Sequence, residues 1–95
     1  MNQQGEARAR FRVVGRVQGV GFRWWIAREA RALTLAGTVY NEADGSVGVE
    51  AEGKAANLAQ LRELLAEGPP NASIERVEEL SPTRGALPAP FSIRA

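Results

Sequence analysis

Ninety-five residues, 44% of them apolar, make one domain spanning 1–95 and one hydrophobic core, with no room for a second. Twelve lysines and arginines against 11 acidic residues leave a net charge of +1, so composition demands neither nucleic acid nor a membrane surface as partner. With no cysteine and no histidine, a disulfide frame, a thiol nucleophile and an imidazole base are excluded, and zinc loses its commonest ligands.

Met1 to Glu6 is polar, lacks an apolar signal core, and is expected to be a flexible N-terminal tail. No run approaches membrane-spanning length, which predicts a cytoplasmic protein. From Arg8 to Val14 the residues alternate, with Ala9, Phe11 and Val13 on one face and Arg8, Arg10 and Arg12 on the other. This predicts a first strand with one buried face.

Gly15 to Arg23 follows, with Gly15, Gly19 and Gly21 inside seven positions between a strand-like and a helix-like run. A helix start leaves N–H groups unpaired at the positive end of the dipole, and glycines let an oxyanion approach the backbone. Arg23 falls in the first helical turn, where its planar fork can add two hydrogen bonds to the same anion. A glycine cluster here serves equally well as a plain turn, and residue types alone weigh the two readings evenly. Trp24 stands where a dinucleotide fingerprint needs its third glycine, and no Gly-Lys-Ser/Thr follows, which disfavours a nucleotide.

Phe22, Ile26, Ala30 and Leu33 then recur at helical spacing, with Arg28 and Arg31 elsewhere on the wheel. Trp24 and Trp25 cannot both point inward, and core or rim packing is the expectation for such indoles, with no functional role for Trp24. Gly37 to Glu42 reads as a second strand, Ala43 to Gly45 as a tight turn, and Ser46 to Gly53 as a third strand with Val47, Val49 and Ala51 facing the core. Lys54 to Glu67 predicts a second helix on Leu58, Leu61 and Leu65, stopped by Gly68 and Pro69. Ser73 to Leu80 predicts a fourth strand, but Ile74, Val77 and Leu80 break the period of two, which calls for a bulge or twist. Thr83 to Pro90 is a Gly/Pro loop, and Phe91 with Ile93 suits a short edge strand.

The order β-α-β-β-α-β, with both helices on one face of an antiparallel sheet, is the ferredoxin-like split βαβ sandwich of the α+β class. It makes the first and third strands central neighbours, setting Arg8, Arg10 and Arg12 against Glu50 and Glu52 on the open face, where charges should largely cancel. Parity puts Asn41 with Val39 on the helix-covered side, near the start of the first helix. A polar amide there needs partners. The pattern alone gives equal weight to an asparagine that serves the turn before Asp44-Gly45.

The run Val13-Val14-Gly15-Arg16-Val17-Gln18-Gly19-Val20-Gly21-Phe22-Arg23 resembles the first signature of the acylphosphatase family throughout its characteristic positions. Gly37-Thr38-Val39-Tyr40-Asn41, with Gly45, Val47 and Gly53, is similar to the second, and the likeness reaches Phe91-Ser92-Ile93. The resemblance implies hydrolysis of acyl phosphates to a carboxylate and inorganic phosphate. It also implies that Arg23 binds the phosphoryl group, backbone N–H groups of Gln18, Gly19, Val20, Gly21 and Phe22 cradle it, and Asn41 orients the attacking water. It implies no metal or organic cofactor; a monomer with no nucleic-acid or membrane partner is expected. A carboxylate leaving group needs no general acid, so the missing His and Cys are no handicap.

Two positions depart from the family's pattern: Thr38, where an aromatic is usual, and Thr34, where glycine is frequent. Thr38 is expected on the open face. If position 34 is left-handed, threonine costs roughly 1 kcal/mol or more. The runner-up function is a module that binds acyl or carbamoyl phosphate with little or no turnover. A third, single-stranded RNA on the open sheet, needs exposed aromatics where the central strands offer Arg and Glu.

Overall fold

In the computed structural model, which describes residues 6–19 and 21–95, the alternating run forms β1 (Glu6–Arg16). Ala9, Phe11 and Val13 are buried and Arg8, Arg10 and Arg12 lie on the other face, as the period of two requires. Glu6, expected in the tail, opens this strand opposite Lys54. The remaining tail residues, 1–5, lie outside the described residues.

The other elements are α1 (Phe22–Ala32), β2 (Ala36–Asn41), β3 (Val47–Lys54), α2 (Ala55–Glu67), β4 (Ser73–Leu80) and β5 (Ser92–Ile93). They form a five-stranded sheet in the order β4-β1-β3-β2-β5, antiparallel except where β5 runs parallel to β2. Phe11 pairs with Val49 and Val13 with Val47 at its centre. Phe22, Ile26, Ala27 and Ala30 of α1 and Leu58, Leu61 and Leu65 of α2 close the core over that face, and Phe91, directly before β5, is buried with them. Each large side chain so buried contributes about 1.5–3 kcal/mol. The architecture is the ferredoxin-like sandwich expected.

The irregular spacing in β4 has a structural cause. Val14 pairs with Arg76 and Gly15 with Ile74, so Glu75 is an extra residue on β4 and the faces exchange across it. The end of α1 is also irregular by composition. Thr34 N–H donates to Arg31 C=O at 2.9 Å and Leu35 N–H to Ala30 C=O at 3.0 Å, a Schellman ending with Thr34 at φ 54°.

On the open face the expected charge ladder is only partly formed. Arg8 pairs with Glu52 at 3.2 Å, while Arg12 turns to Glu78 at 2.9 Å and to Asp44. Glu50, opposite Arg10, instead accepts from Thr83 N–H at 2.6 Å and Thr83 Oγ1 at 2.7 Å and is only 4% exposed. The segment after β4 therefore crosses this face, held also by Arg8 donating to the Thr83 and Gly85 carbonyls. A backbone N–H and a hydroxyl satisfy the carboxylate where a guanidinium was expected.

Candidate active site

After β1 the chain passes Val17, which is buried, and reaches Gly19 and Gly21 at φ 76° and 75°. A Cβ at either glycine would meet no atom within 4 Å, so conformation rather than space selects glycine there. Gly21 caps α1 in the left-handed region, no side chain bonds to the cap, and the first turn holds no acidic residue. The helix's first N–H groups are left for another acceptor. Val20, expected to contribute its backbone, lies outside the described residues.

Arg23 is the second residue of α1 and half-buried, and its Nη1 donates to the Arg94 carbonyl at 3.3 Å. Asn41 ends β2 beside Val47 of β3, on the helix-covered side with Val39. Its carboxamide makes no hydrogen bond among the described residues and reaches solvent, so the polar group expected to need partners is paid for by water instead.

Gly19, Gly21, Phe22, Arg23 and Asn41 line one cavity of about 190 Å³, joined by Val17, Trp24 and Ile93. Arg23 and Asn41 thus meet across eighteen positions of chain. The volume is below the roughly 300–1,000 Å³ usual for drug-sized ligands and suits a small anion. Gln18 is not on its wall. Its Nε2 instead donates to the Glu42 and Ser46 carbonyls, each at 2.9 Å, tying the loop to the turn that follows Asn41.

Three wall residues were not anticipated. Val17 lies within the motif and Trp24 directly follows it, and neither carries a signal beyond that position. Ile93 comes in because β5 pairs in parallel with β2 and sets Ile93 beside Val39, two residues from Asn41. The two indoles divide as expected: Trp25 stacks on Phe22 with centroids 5.8 Å apart, and Trp24 is left 60% exposed at the rim.

Arg23 is the single charged residue among those lining the cavity. Arg28 and Arg31 of the same helix form no ion pair among the described residues, whereas the Arg94 guanidinium lies 3.8 Å over the Tyr40 ring on the open face. Arg23 and the positive end of the α1 dipole therefore supply the attraction for an anion at this cavity. A guanidinium, free helix-start N–H groups and an unengaged carboxamide around one small space can hold a tetrahedral oxyanion and a water.

The family model described as Acylphosphatase matches residues 9–93. A curated acylphosphatase from Actinobacillus succinogenes is 46% identical over 83 residues, covering 87% of this chain and 92% of that one. Among solved structures, an acylphosphatase from Coxiella burnetii superimposes with a TM-score of 0.81 at 34% identity, covering 96% of this chain and 95% of that one. One from Bacillus subtilis gives 0.79 at 38% identity, covering 93% and 98%.

Proposed function

The chain belongs to the acylphosphatase family, and from that membership we propose how its residues hydrolyse the carboxyl–phosphate bond of an acyl phosphate. The products are a carboxylate and inorganic phosphate. Arg23 and the N–H groups of Gly19, Val20, Gly21 and Phe22 hold the phosphoryl oxygens, and Asn41 holds the water in line with the bond to be broken. The water oxygen forms a bond to phosphorus as the bond from phosphorus to the acyl oxygen breaks. The electron pair leaves with the carboxylate, and a phosphoryl oxygen takes the water's proton.

The chemistry fits a site without a general acid, because the leaving carboxylate is stable as an anion. Charge spread over the phosphoryl oxygens is met by donors already aimed at it, and losing one such donor costs about 100- to 1,000-fold in rate. Among the described residues the wall offers no carboxylate, imidazole or thiolate to carry a metal, and the reaction is read as metal- and cofactor-independent. No helix among the described residues is long and apolar enough to cross a membrane. The reading is completed by a cytoplasmic monomer.

The observation that supports these roles is that Arg23 and Asn41 line the same small cavity as the two left-handed glycines. Steady-state hydrolysis of benzoyl phosphate, with and without chelator, tests the reading. Turnover is expected to survive the chelator. Arg23→Ala should lose both turnover and inhibition by inorganic phosphate, whereas Asn41→Ala should lose turnover and keep that inhibition. Near wild-type rates for Asn41→Ala would dispose of the water-orienting role.

A further inference from the structure

The two large apolar side chains most exposed in the structure, Trp24 at 60% and Ile93 at 42%, lie at one place. Both line the anion cavity, and both also line a second cavity of about 250 Å³ completed by Ala27, Arg28 and Arg31. The two spaces share a wall. Asn41, Gly19 and Gly21 belong to the first alone.

Exposed indole and isoleucine side chains on a 95-residue domain are unfavourably hydrated unless something covers them. Trp24 is also held in place. The Arg28 guanidinium sits over its ring, 5.5 Å from the centroid and one helical turn on, and Arg31 is fixed by donating Nε–H to the Phe91 carbonyl at 2.6 Å. The helix places 24, 27, 28 and 31 on one stripe, and β5 sets Ile93 against it.

In an in-line displacement the acyl group departs on the side of phosphorus opposite the water. The second cavity adjoins the anion cavity through Trp24 and Ile93 and is lined by neither Asn41 nor Arg23, so it offers room beside the phosphoryl site for the part of the substrate that those two residues do not hold. We infer that the space between Trp24, Ala27 and Ile93 is the acyl subsite, and that it selects acyl phosphates with an apolar, planar acyl group over acetyl phosphate. Trp24 offers a ring face, Ile93 the opposing apolar wall, and the Arg28 and Arg31 stems the sides. The inference rests on acyl phosphate hydrolysis at the adjoining cavity and names which acyl groups that site prefers.

The test is kcat/KM for benzoyl, acetyl and succinyl phosphate on the full chain, for wild type, Trp24→Ala and Ile93→Ala. Wild type should prefer benzoyl to acetyl phosphate, and each substitution should reduce that ratio by about 10-fold, the scale on which an apolar pocket discriminates. An unchanged ratio overturns the subsite. So does an equal loss on both substrates accompanied by weaker inhibition by inorganic phosphate, which would mean that the substitutions act through Arg23. Faster turnover of succinyl than of benzoyl phosphate overturns the apolar assignment in favour of anion recognition by Arg28 and Arg31. Failure of wild type on all three substrates would instead defeat the parent reading, so the two failures are distinguishable.

Discussion

Replacing Thr34 by glycine should stabilise the protein, although it removes a side chain and a hydrogen bond. Thr34 is the single non-glycine residue with positive φ among the described residues, at 54°. It occupies the position after the α1 cap where the Schellman geometry needs a left-handed residue, and both defining bonds are made. An L-residue with a Cβ costs about 1–2 kcal/mol there, while glycine forfeits about 0.5–1 kcal/mol through its freer unfolded chain. The Thr34 Oγ1 bond to the Leu33 carbonyl, 2.6 Å, is exposed, and that carbonyl keeps Asn57 Nδ2 as a donor at 3.1 Å. The net expectation is a gain of about 0.5–1 kcal/mol, or about 2–8 °C in Tm for a domain of this size. Urea unfolding should show a higher midpoint at unchanged slope. Thr34→Ala serves as control, since it also loses the hydroxyl but keeps the Cβ. If alanine stabilised as much as glycine, or glycine lowered the midpoint, the backbone explanation would be wrong.

Gln18→Ala should loosen the tie between the loop and the turn after Asn41. Losing two hydrogen bonds to backbone carbonyls should cost about 1–3 kcal/mol by urea unfolding. Because that tie holds Asn41 near the loop, kcat should fall more than inhibition by inorganic phosphate weakens. Asp44 accepts from Ser46 Oγ at 2.6 Å and Ser46 N–H at 3.0 Å and pairs with Arg12, which together hold its carboxyl below the usual carboxylate range. A depressed folded pKa stabilises above the unfolded value, near 3.8, and that contribution is lost as pH falls from there through the folded value. The stability difference between wild type and Asp44→Asn should therefore be full at neutral pH and shrink below about pH 4. A difference that grew on acidification would reverse the sign of this argument.

What was legible in the sequence was what periodicity and turn chemistry encode. Parity along Gly37–Asn41 put Asn41 under the helices, because strand faces alternate and Val39 had to be buried. Thr34 stood out only as a departure from the glycine frequent in the family, and its left-handed φ of 54° with the two Schellman bonds supplies the physical reason. Ile93 was not legible, since its place beside Val39 depends on a parallel pairing that closes the sheet from the far end of the chain. The cover over Glu50 was equally hidden: a Gly/Pro loop has no period from which to read that Thr83 would cross the open face.

Charge shows most clearly why counting residues underdetermines a site. A net charge of +1 suggested that the field cancels, and on the open face it does so in part, through the pairs of Arg8 with Glu52 and of Arg12 with Glu78 and Asp44. That cancellation consumes carboxylates contributed by β3, β4 and the β2–β3 turn. Arg23, Arg28 and Arg31 of α1 are left without an ion pair among the described residues. Composition cannot distinguish a uniformly neutral surface from one on which the ion pairs are concentrated away from a lone cation. The fold decides it, by placing the strand carboxylates on one face of the sheet and the start of α1 on the other, so a nearly neutral chain presents an anion with net positive charge where Arg23 opens into the cavity.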